Sequence, residues 1–331
     1  MRWGILGASN IAAKALIPAM QRAEDTEVVA VASSSGKGRA FVESLSCDIR
    51  KVYDSYEQLL TDEEIDAVYI SVPNHLHKKW TIEAAKHGKH VLCEKPASLT
   101  ERDTQEMITA CEDNRVMFLE AFMYQFHPQH DRVKEIIASG EIGNITLMKT
   151  SFSFYLDPHS TNIRLDASKG GGSLFDVGCY GLHSIFNVLG SYPQEIHSVA
   201  SVDENSGVDL TSAVTLKLES GILAQVDCSI QQPPKNAYEI IGDKGKITVP
   251  AAYRPDKEDG GQGKIFVNLV DGQSRTESIV GDQYKQQVEV FTSAVKNDTS
   301  LANYHDLTIY TIRAIEQCME KIKSSLKRAL E

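Results

Sequence analysis

The sequence predicts an α/β protein in two parts: an N-terminal doubly wound parallel sheet, then a C-terminal α+β domain on a large, open, mostly antiparallel sheet. Three observations carry that prediction. Short apolar runs and helix-period segments alternate strictly as far as Glu120, which is the signature of βαβ units. After Phe122 the pattern changes to strand-like runs joined by hairpin-style turns. At 331 residues the chain is too long for one ordinary core, and the division is expected between residues 1–121 and 122–331.

Taken in order, the strands of the first part are expected at 3–6, 28–32, 67–72, 90–93 and 117–120, with a weaker one at 51–53. The amphipathic stretches 11–22, 39–45, 75–87 and 101–113 supply the connecting helices. In the second part a helix at 129–139 stops at Gly140, and a long strand follows at 145–154. A glycine-rich entry then opens a helix at 173–189. From Gln194 to Ile279, strand-like runs are separated by Glu219-Ser220-Gly221, Gly242-Asp243-Lys244-Gly245 and Asp271-Gly272. Two helices, 283–295 and 304–326, close the chain. The Asp-, Gly- and Gln-rich segment 254–264 reads as a mobile surface loop.

Composition narrows the class of function. Hydrophobic residues make up 42% and charged residues 24%, the profile of an ordinary soluble globular protein. Acidic residues outnumber basic ones 45 to 34, for a net charge of −11, so nucleic acid is not an expected partner. No apolar run reaches the length a bilayer requires, and the first residues read as a strand and turn, not a signal peptide. The six cysteines (47, 93, 111, 179, 228 and 318) show no close pairs or CxxC spacing. They point to free thiols in a reducing compartment, the cytoplasm.

Candidate binding residues stand at the carboxyl ends of the expected parallel strands, where open α/β sheets take ligands. Gly7-Ala8-Ser9-Asn10-Ile11-Ala12 follows the first strand and opens the first helix. It matches the G-x-G-x-x-G/A dinucleotide fingerprint, with Ser9 at the second glycine and able to cap the helix or bond phosphate. An ordinary strand-to-helix turn is the competing reading. The second strand ends in Ser33-Ser34-Ser35-Gly36-Lys37-Gly38-Arg39, with no acid to bond a ribose 2′-hydroxyl. Hydroxyls and cations suit the 2′-phosphate of NADP; NAD is the alternative cofactor, and a solvated polar loop is the plainer reading. After the fourth strand comes Ser71-Val72-Pro73-Asn74-His75-Leu76-His77, in which Asn74 is expected to cap a helix. Ser71, Pro73, Asn74 and His77 are candidate cofactor contacts, whereas His75 and His77 point apart and no metal site is expected.

The most informative stretch is Val91-Leu92-Cys93-Glu94-Lys95-Pro96. An apolar strand delivers Glu94 and Lys95, and Pro96 biases Lys95 away from helical geometry. A lysine held at a strand edge suits the polarising of an oxygen or the stabilising of negative charge. Alone, it reads equally as a surface lysine on a turn. Further on, Gly170-Gly171-Gly172-Ser173 leads into a helix carrying Asp176, Tyr180 and His183, the first two sharing a face.

These motifs, taken in order, resemble the glucose–fructose oxidoreductase / inositol dehydrogenase / rhizopine-catabolism oxidoreductase family. The resemblance rests on 7–12, Ser71-Val72-Pro73-Asn74 with His77, Glu94-Lys95-Pro96, and Gly170–Ser173 with Leu174, Asp176, Gly178 and Tyr180. Leu119-Glu120-Ala121-Phe122-Met123-Tyr124, followed by Phe126-His127-Pro128, is similar to the family's domain-crossing segment, especially in dihydrodiol and xylose dehydrogenases. Ser9 and the serine-rich loop are similar to the anhydrofructose reductase branch, which uses NADPH.

The resemblance implies a Rossmann domain, an NADP-linked oxidoreductase acting on a sugar, polyol or vicinal diol, and a homodimer or higher homo-oligomer. It implies that Lys95 is the family lysine, with a cis bond to Pro96, and that Tyr180 is the acid/base, with both facing one crevice. Glu94 and Arg164 are further candidate contacts, and Asp176 orients the substrate or the tyrosine. Family members often pair through the open sheet face, which is then expected to be an apolar patch. A cofactor-binding regulator without turnover and a redox glycosidase are the rival readings. His127 and His130 are expected at the surface, and Tyr124 at the substrate cleft or a domain interface.

Overall fold

The computed structural model describes residues 1–330. Six strands form the first sheet: β1 (Arg2–Leu6), β2 (Glu27–Ala32), β3 (Lys51–Tyr53), β4 (Ala67–Ile70), β5 (His90–Cys93) and β6 (Phe118–Glu120). Their order is β3-β2-β1-β4-β5-β6, and every pairing is parallel. This is the doubly wound order, which opens a crevice at the carboxyl ends of β1 and β4, where the winding reverses. With helices on both faces, the central strands are apolar on both sides: all four residues of β4 are buried. The helix Tyr56–Leu60 was not expected, because five residues are too few to show a period. Ser55 caps it by accepting the Gln58 N–H at 3.2 Å.

The chain forms two compact units, and their boundary is not a single cut. The first contains Met1–Met123 and Tyr284–Ile309; the second contains Tyr124–Gln283 and the last helix from Tyr310. In the first unit, Phe291 on the helix Gln283–Asn297 packs against Trp3 of β1 with ring centroids 5.4 Å apart. His305 bonds the Phe118 carbonyl of β6 at 3.0 Å, and Lys296 pairs with Asp25 at 2.6 Å. The helical period of 283–295 says which face is apolar. It does not say which sheet that face covers.

The second sheet contains β7 (Ile145–Tyr155), β8 (Pro193–Val202), β9 (Asp209–Leu218), β10 (Leu223–Ser229), β11 (Gln231–Gly242), β12 (Gly245–Val249), β13 (Gln262–Leu269) and β14 (Ser274–Val280). Its order is β14-β13-β12-β11-β7-β10-β9-β8, antiparallel except where β7 and β10 run parallel. One face carries the helix Cys179–Leu189 at close range. A Cβ on Gly181 would lie 2.6 Å from Thr150 Oγ1 and 2.7 Å from Val226 Cγ1.

The opposite face, expected from the sequence to be an apolar patch, mixes polar rows with aliphatic ones. Across the register it reads His197–Thr215–Gln225–Lys149–Glu239, and in the next row Glu195–Lys217–Leu223–Leu147–Ile241. The first row is polar and mixed in sign, whereas the second joins a Glu–Lys pair to Leu223, Leu147 and Ile241, and Leu223 and Val199 are exposed. The segment 254–264, expected as a surface loop, carries local contacts and ends inside a strand. Arg254 pairs with Asp256 at 2.8 Å, Gln283 donates to Asp256 at 2.9 Å, and β13 already begins at Gln262.

All six cysteines are free, and five of them are buried. Among the described residues, no helix is long and apolar enough to cross a membrane. Phe291→Ala empties the contact with Trp3, both rings being fully buried. It is expected to cost about 3–5 kcal/mol, read as a lower urea midpoint.

Candidate active site

At the carboxyl edge of the first sheet, backbone bonds tie the expected binding loops together. The Gly7 N–H donates to Ala32 O at 3.0 Å, and the Ser71 N–H donates to Leu6 O at 2.9 Å. Gly7 has φ +106°, and a Cβ there would lie 2.8 Å from Ser71 O, so only glycine fits the turn. Ser9 does cap the helix: its Oγ accepts the Ala12 N–H at 3.1 Å. The same hydroxyl donates to Ser71 Oγ at 2.9 Å, so it is bonded within the protein on both sides. Ala8, Asn10 and Ile11 stay accessible around the start of the helix, where backbone amides favour an anion.

The end of β2 has the chemistry of a phosphate site. Ser33 is buried and bonds Ser35 Oγ at 3.0 Å, while Ser34, Ser35, Lys37 and Arg39 are exposed. Among the described residues, neither Lys37 nor Arg39 forms an ion pair. Arg39 borders an open groove with Val42, Glu43, Arg50 and Lys51. In that groove Arg50 is already paired with Glu27, and Lys51 with Asp62 and Glu64. Accessible amides at a helix start, three serines and two uncommitted cations therefore fit a dinucleotide carrying an extra phosphate.

Pro73 and Asn74 are partly exposed; Asn74 is the first residue of the turn Asn74–Leu76, and Pro73 holds the cap position. His77 is fully buried, with Nδ1 2.9 Å from Pro96 O and Nε2 2.8 Å from Val72 O. Its pKa is lowered, burial outweighing the pull of those carbonyls. The direct cofactor contact expected of His77 is replaced by a brace between two loops.

Beyond it, the Lys95–Pro96 bond is cis, as expected, and Lys95 is partly exposed past the end of β5. The Glu94 carboxylate accepts the Tyr69 hydroxyl and, at 3.2 Å, the Lys95 N–H. Glu120, which the sequence reading did not single out, is buried at the end of β6. It accepts the Ala97 N–H at 2.7 Å. Burial pushes its pKa up to about 7.

In the second unit the candidate helix opens as a π-turn, Leu174–Gly178, before becoming the α-helix Cys179–Leu189. Asp176 sits in the π-turn and Tyr180 one turn later. Arg164 does not stand apart: its Nε lies 2.5 Å from Asp176 Oδ2, and its guanidinium lies over Phe154. The Asp176 charge raises the Arg164 pKa against the effect of burial. Tyr180 is 6% exposed, in a nest of Phe152, Tyr253 and Tyr124 with ring centroids 5.1, 5.4 and 5.9 Å away.

A second residue missed in the sequence anchors this helix. Asp209, at the start of β9, is buried, and its Oδ2 accepts from Ser173 Oγ at 2.6 Å, Ser212 Oγ at 2.8 Å and the Leu174 N–H at 2.8 Å. Burial raises its pKa, and the three donors oppose that rise. Gly172, at φ +107°, has no room for a side chain, since a Cβ would fall 2.1 Å from Asp209 Oδ1. Its N–H reaches Arg164 O at 2.9 Å, so the glycine run closes the Arg164 loop onto the helix. No sequence pattern marks a lone acid at a strand start.

The two histidines expected at the surface are buried instead. His127 Nε2 lies 3.0 Å from Gly261 O, while His130 spans Tyr238 OH and Ala252 O, both at 2.9 Å. Tyr124 is buried too, with its hydroxyl 2.6 Å from His183 Nδ1. Burial lowers the pKa of His130 and of His183 to about 3, so both rings stay neutral at working pH. Tyr124 links this network to Tyr180, their ring centroids being 5.9 Å apart.

Residues 1–122 match the model of an oxidoreductase family with an NAD-binding Rossmann fold, and residues 130–248 match that of the GFO/IDH/MocA C-terminal domain. D-xylose 1-dehydrogenase (NADP(+)) 2 from Haloferax volcanii is 34% identical over 325 residues, covering 98% of each chain. 1,5-Anhydro-D-fructose reductase from Ensifer adhaerens is 30% identical over 89% of this chain and 88% of its own. A 3-ketoreductase from Actinomadura kijaniata, solved with NADP and TDP-benzene, is 25% identical with a TM-score of 0.89. That match covers 97% of this chain and 98% of the other.

Asp209→Ala strands two buried hydroxyls and one N–H at the start of the Tyr180 helix. The expected loss is about 3 kcal/mol in urea unfolding, against about 1 kcal/mol for Asp209→Asn, which keeps one acceptor oxygen.

Proposed function

The chain belongs to the GFO/IDH/MocA oxidoreductase family, and we propose that it is an NADP-dependent enzyme acting on a sugar, polyol or vicinal diol, or on the matching carbonyl. The observation that carries this reading is Lys95, accessible past β5 on a turn held by buried side chains at the ligand-binding edge of a doubly wound sheet. When bound, the nicotinamide supplies or accepts the hydride.

The chain's own residues handle the proton. A phenol with a pKa near about 10 is a poor base at neutral pH. Tyr180 therefore exchanges its proton with the substrate oxygen only where a cation stabilises the phenolate, and Lys95 is assigned that part, together with polarising the oxygen. Asp176, fixed by Arg164, orients the substrate hydroxyls. Lys37 and Arg39, exposed beside Ser34 and Ser35, support the preference for NADP, as does the NADP(+) in the name of the xylose dehydrogenase. A cytoplasmic homo-oligomer completes the reading. The free thiols support the compartment, and light scattering measures the assembly.

The test is a spectrophotometric screen of NADPH and NADH against sugars, anhydrosugars, diketones and trans-diols. Lys95→Ala and Tyr180→Phe are each expected to lower kcat by about 10²–10⁴-fold while NADPH affinity stays within a few-fold. Wild-type rates in both variants overturn the assigned roles; tight NADPH binding with no turnover on any substrate promotes a regulator instead. Lys37→Glu with Arg39→Glu is expected to shift the NADPH-over-NADH preference in Kd by at least about tenfold toward NADH.

A further inference from the structure

One peptide unit, between Pro96 and Ala97, is bonded at both ends by buried titratable side chains. Its carbonyl lies 2.9 Å from His77 Nδ1, and its N–H donates to Glu120 Oε1 at 2.7 Å. Glu120 enters from the neighbouring strand, where it is register-paired with Cys93, two residues before Lys95. Its second oxygen, Oε2, has no partner among the described residues. An amide oxygen would accept the Ala97 N–H equally well, and burying a carboxyl with one bare oxygen is costly. What the acid adds is charge.

We propose that Glu120 is a positioning residue for Lys95, holding its turn through Ala97 while His77 holds the Pro96 side, and setting a negative charge near the ammonium. The consequence for turnover rests on the oxidoreductase reading; the clamp itself does not. The groups whose charge or hydroxyl bears on Glu120 are Lys95, Glu94 and Cys93 on the β5 side and Thr308 on the helix Ala302–Leu330. On that same helix His305 is engaged with Phe118 O, and His77 lies across the clamped peptide. Burial and Glu94 push the Glu120 pKa up to about 7, against Lys95, Thr308 and the Ala97 N–H. The carboxylate present above that pH steadies the Lys95 ammonium, and below it the charge is lost.

Lysines carrying isotope-labelled dimethyl groups report this directly by NMR in the protein without cofactor, with Lys95→Arg identifying the signal. The parent is expected to show an inflection of the Lys95 signal near pH 7, absent in Glu120→Gln. The Lys95 pKa itself is expected to fall by about one unit in that variant. Identical titration curves in parent and variant overturn the proposal. Should Glu120→Gln fail to fold, Glu120→Asp decides: the inflection moves to a new pH if the carboxyl is its source and stays in place if it is not. In turnover, Glu120→Gln is expected to lower kcat about tenfold at unchanged NADPH Kd and to lose the limb of the pH profile near neutrality. A parent inactive on every substrate sinks the functional reading, and the NMR titration still decides the clamp.

Discussion

The Pro96–Ala97 peptide is the constraint on which the chemistry proposed for the first unit depends. A lysine side chain has four rotatable carbons and loses about 2 kcal/mol of rotamer entropy when fixed, so its usefulness depends on a backbone that does not also wander. Here the backbone just beyond Lys95 is fixed from two directions, by His77 on the helix His77–Lys86 and by Glu120 on β6. His77 in turn reaches back to Val72 O, so the loops after β4 and β5 are tied together. The loop after β1 joins them through Ser9 and Ser71. An anion-binding edge and a cationic side chain thereby share one rigid frame.

The second unit solves its positioning problem with the same chemistry. Asp209 collects three donors at the mouth of the Tyr180 helix, and Gly172 lets the chain pass close enough for this to happen. Both helices that open at candidate sites begin with π-turns, Ala12–Leu16 and Leu174–Gly178. A π-turn is strained relative to an α-turn and persists where the surroundings over-determine it. Ser9 at the first and Asp209 at the second supply that over-determination by taking up N–H groups near the helix start.

The sequence carried the parallel sheet well, because a strand covered on both faces leaves an unbroken apolar run that few other structures need. In the sequence, Lys95, Asp176 and Tyr180 could be singled out because each stands in a motif with fixed spacing. It did not carry Glu120, His127, His130 or Asp209, whose meaning lies in contacts remote along the chain: Glu120 with Ala97, His127 with Gly261, His130 with Tyr238 and Ala252, and Asp209 with Ser173. A polar residue's usual exposure argues for the surface, and only the folded chain shows which ones have been given partners. The make-up of the open sheet face was hidden for a related reason. Cross-strand rows mix residues from five strands, and no single stretch of sequence displays a row such as His197–Thr215–Gln225–Lys149–Glu239.

Burial separates most of the groups that brace from those proposed to act. His77, Glu120 and Asp209 are at most 2% exposed, whereas Lys95, Asp176 and the accessible part of the Gly7 loop are reachable from solvent. A buried polar group is costly unless satisfied, but once satisfied it has few alternative partners and so defines one geometry. An exposed charge has many alternatives and defines none. Tyr180 sits on the boundary: its ring is packed by three aromatic neighbours, and its position is therefore set by the core. A phenol placed that way has its ring angle set by packing, which suits the proton exchange proposed for it.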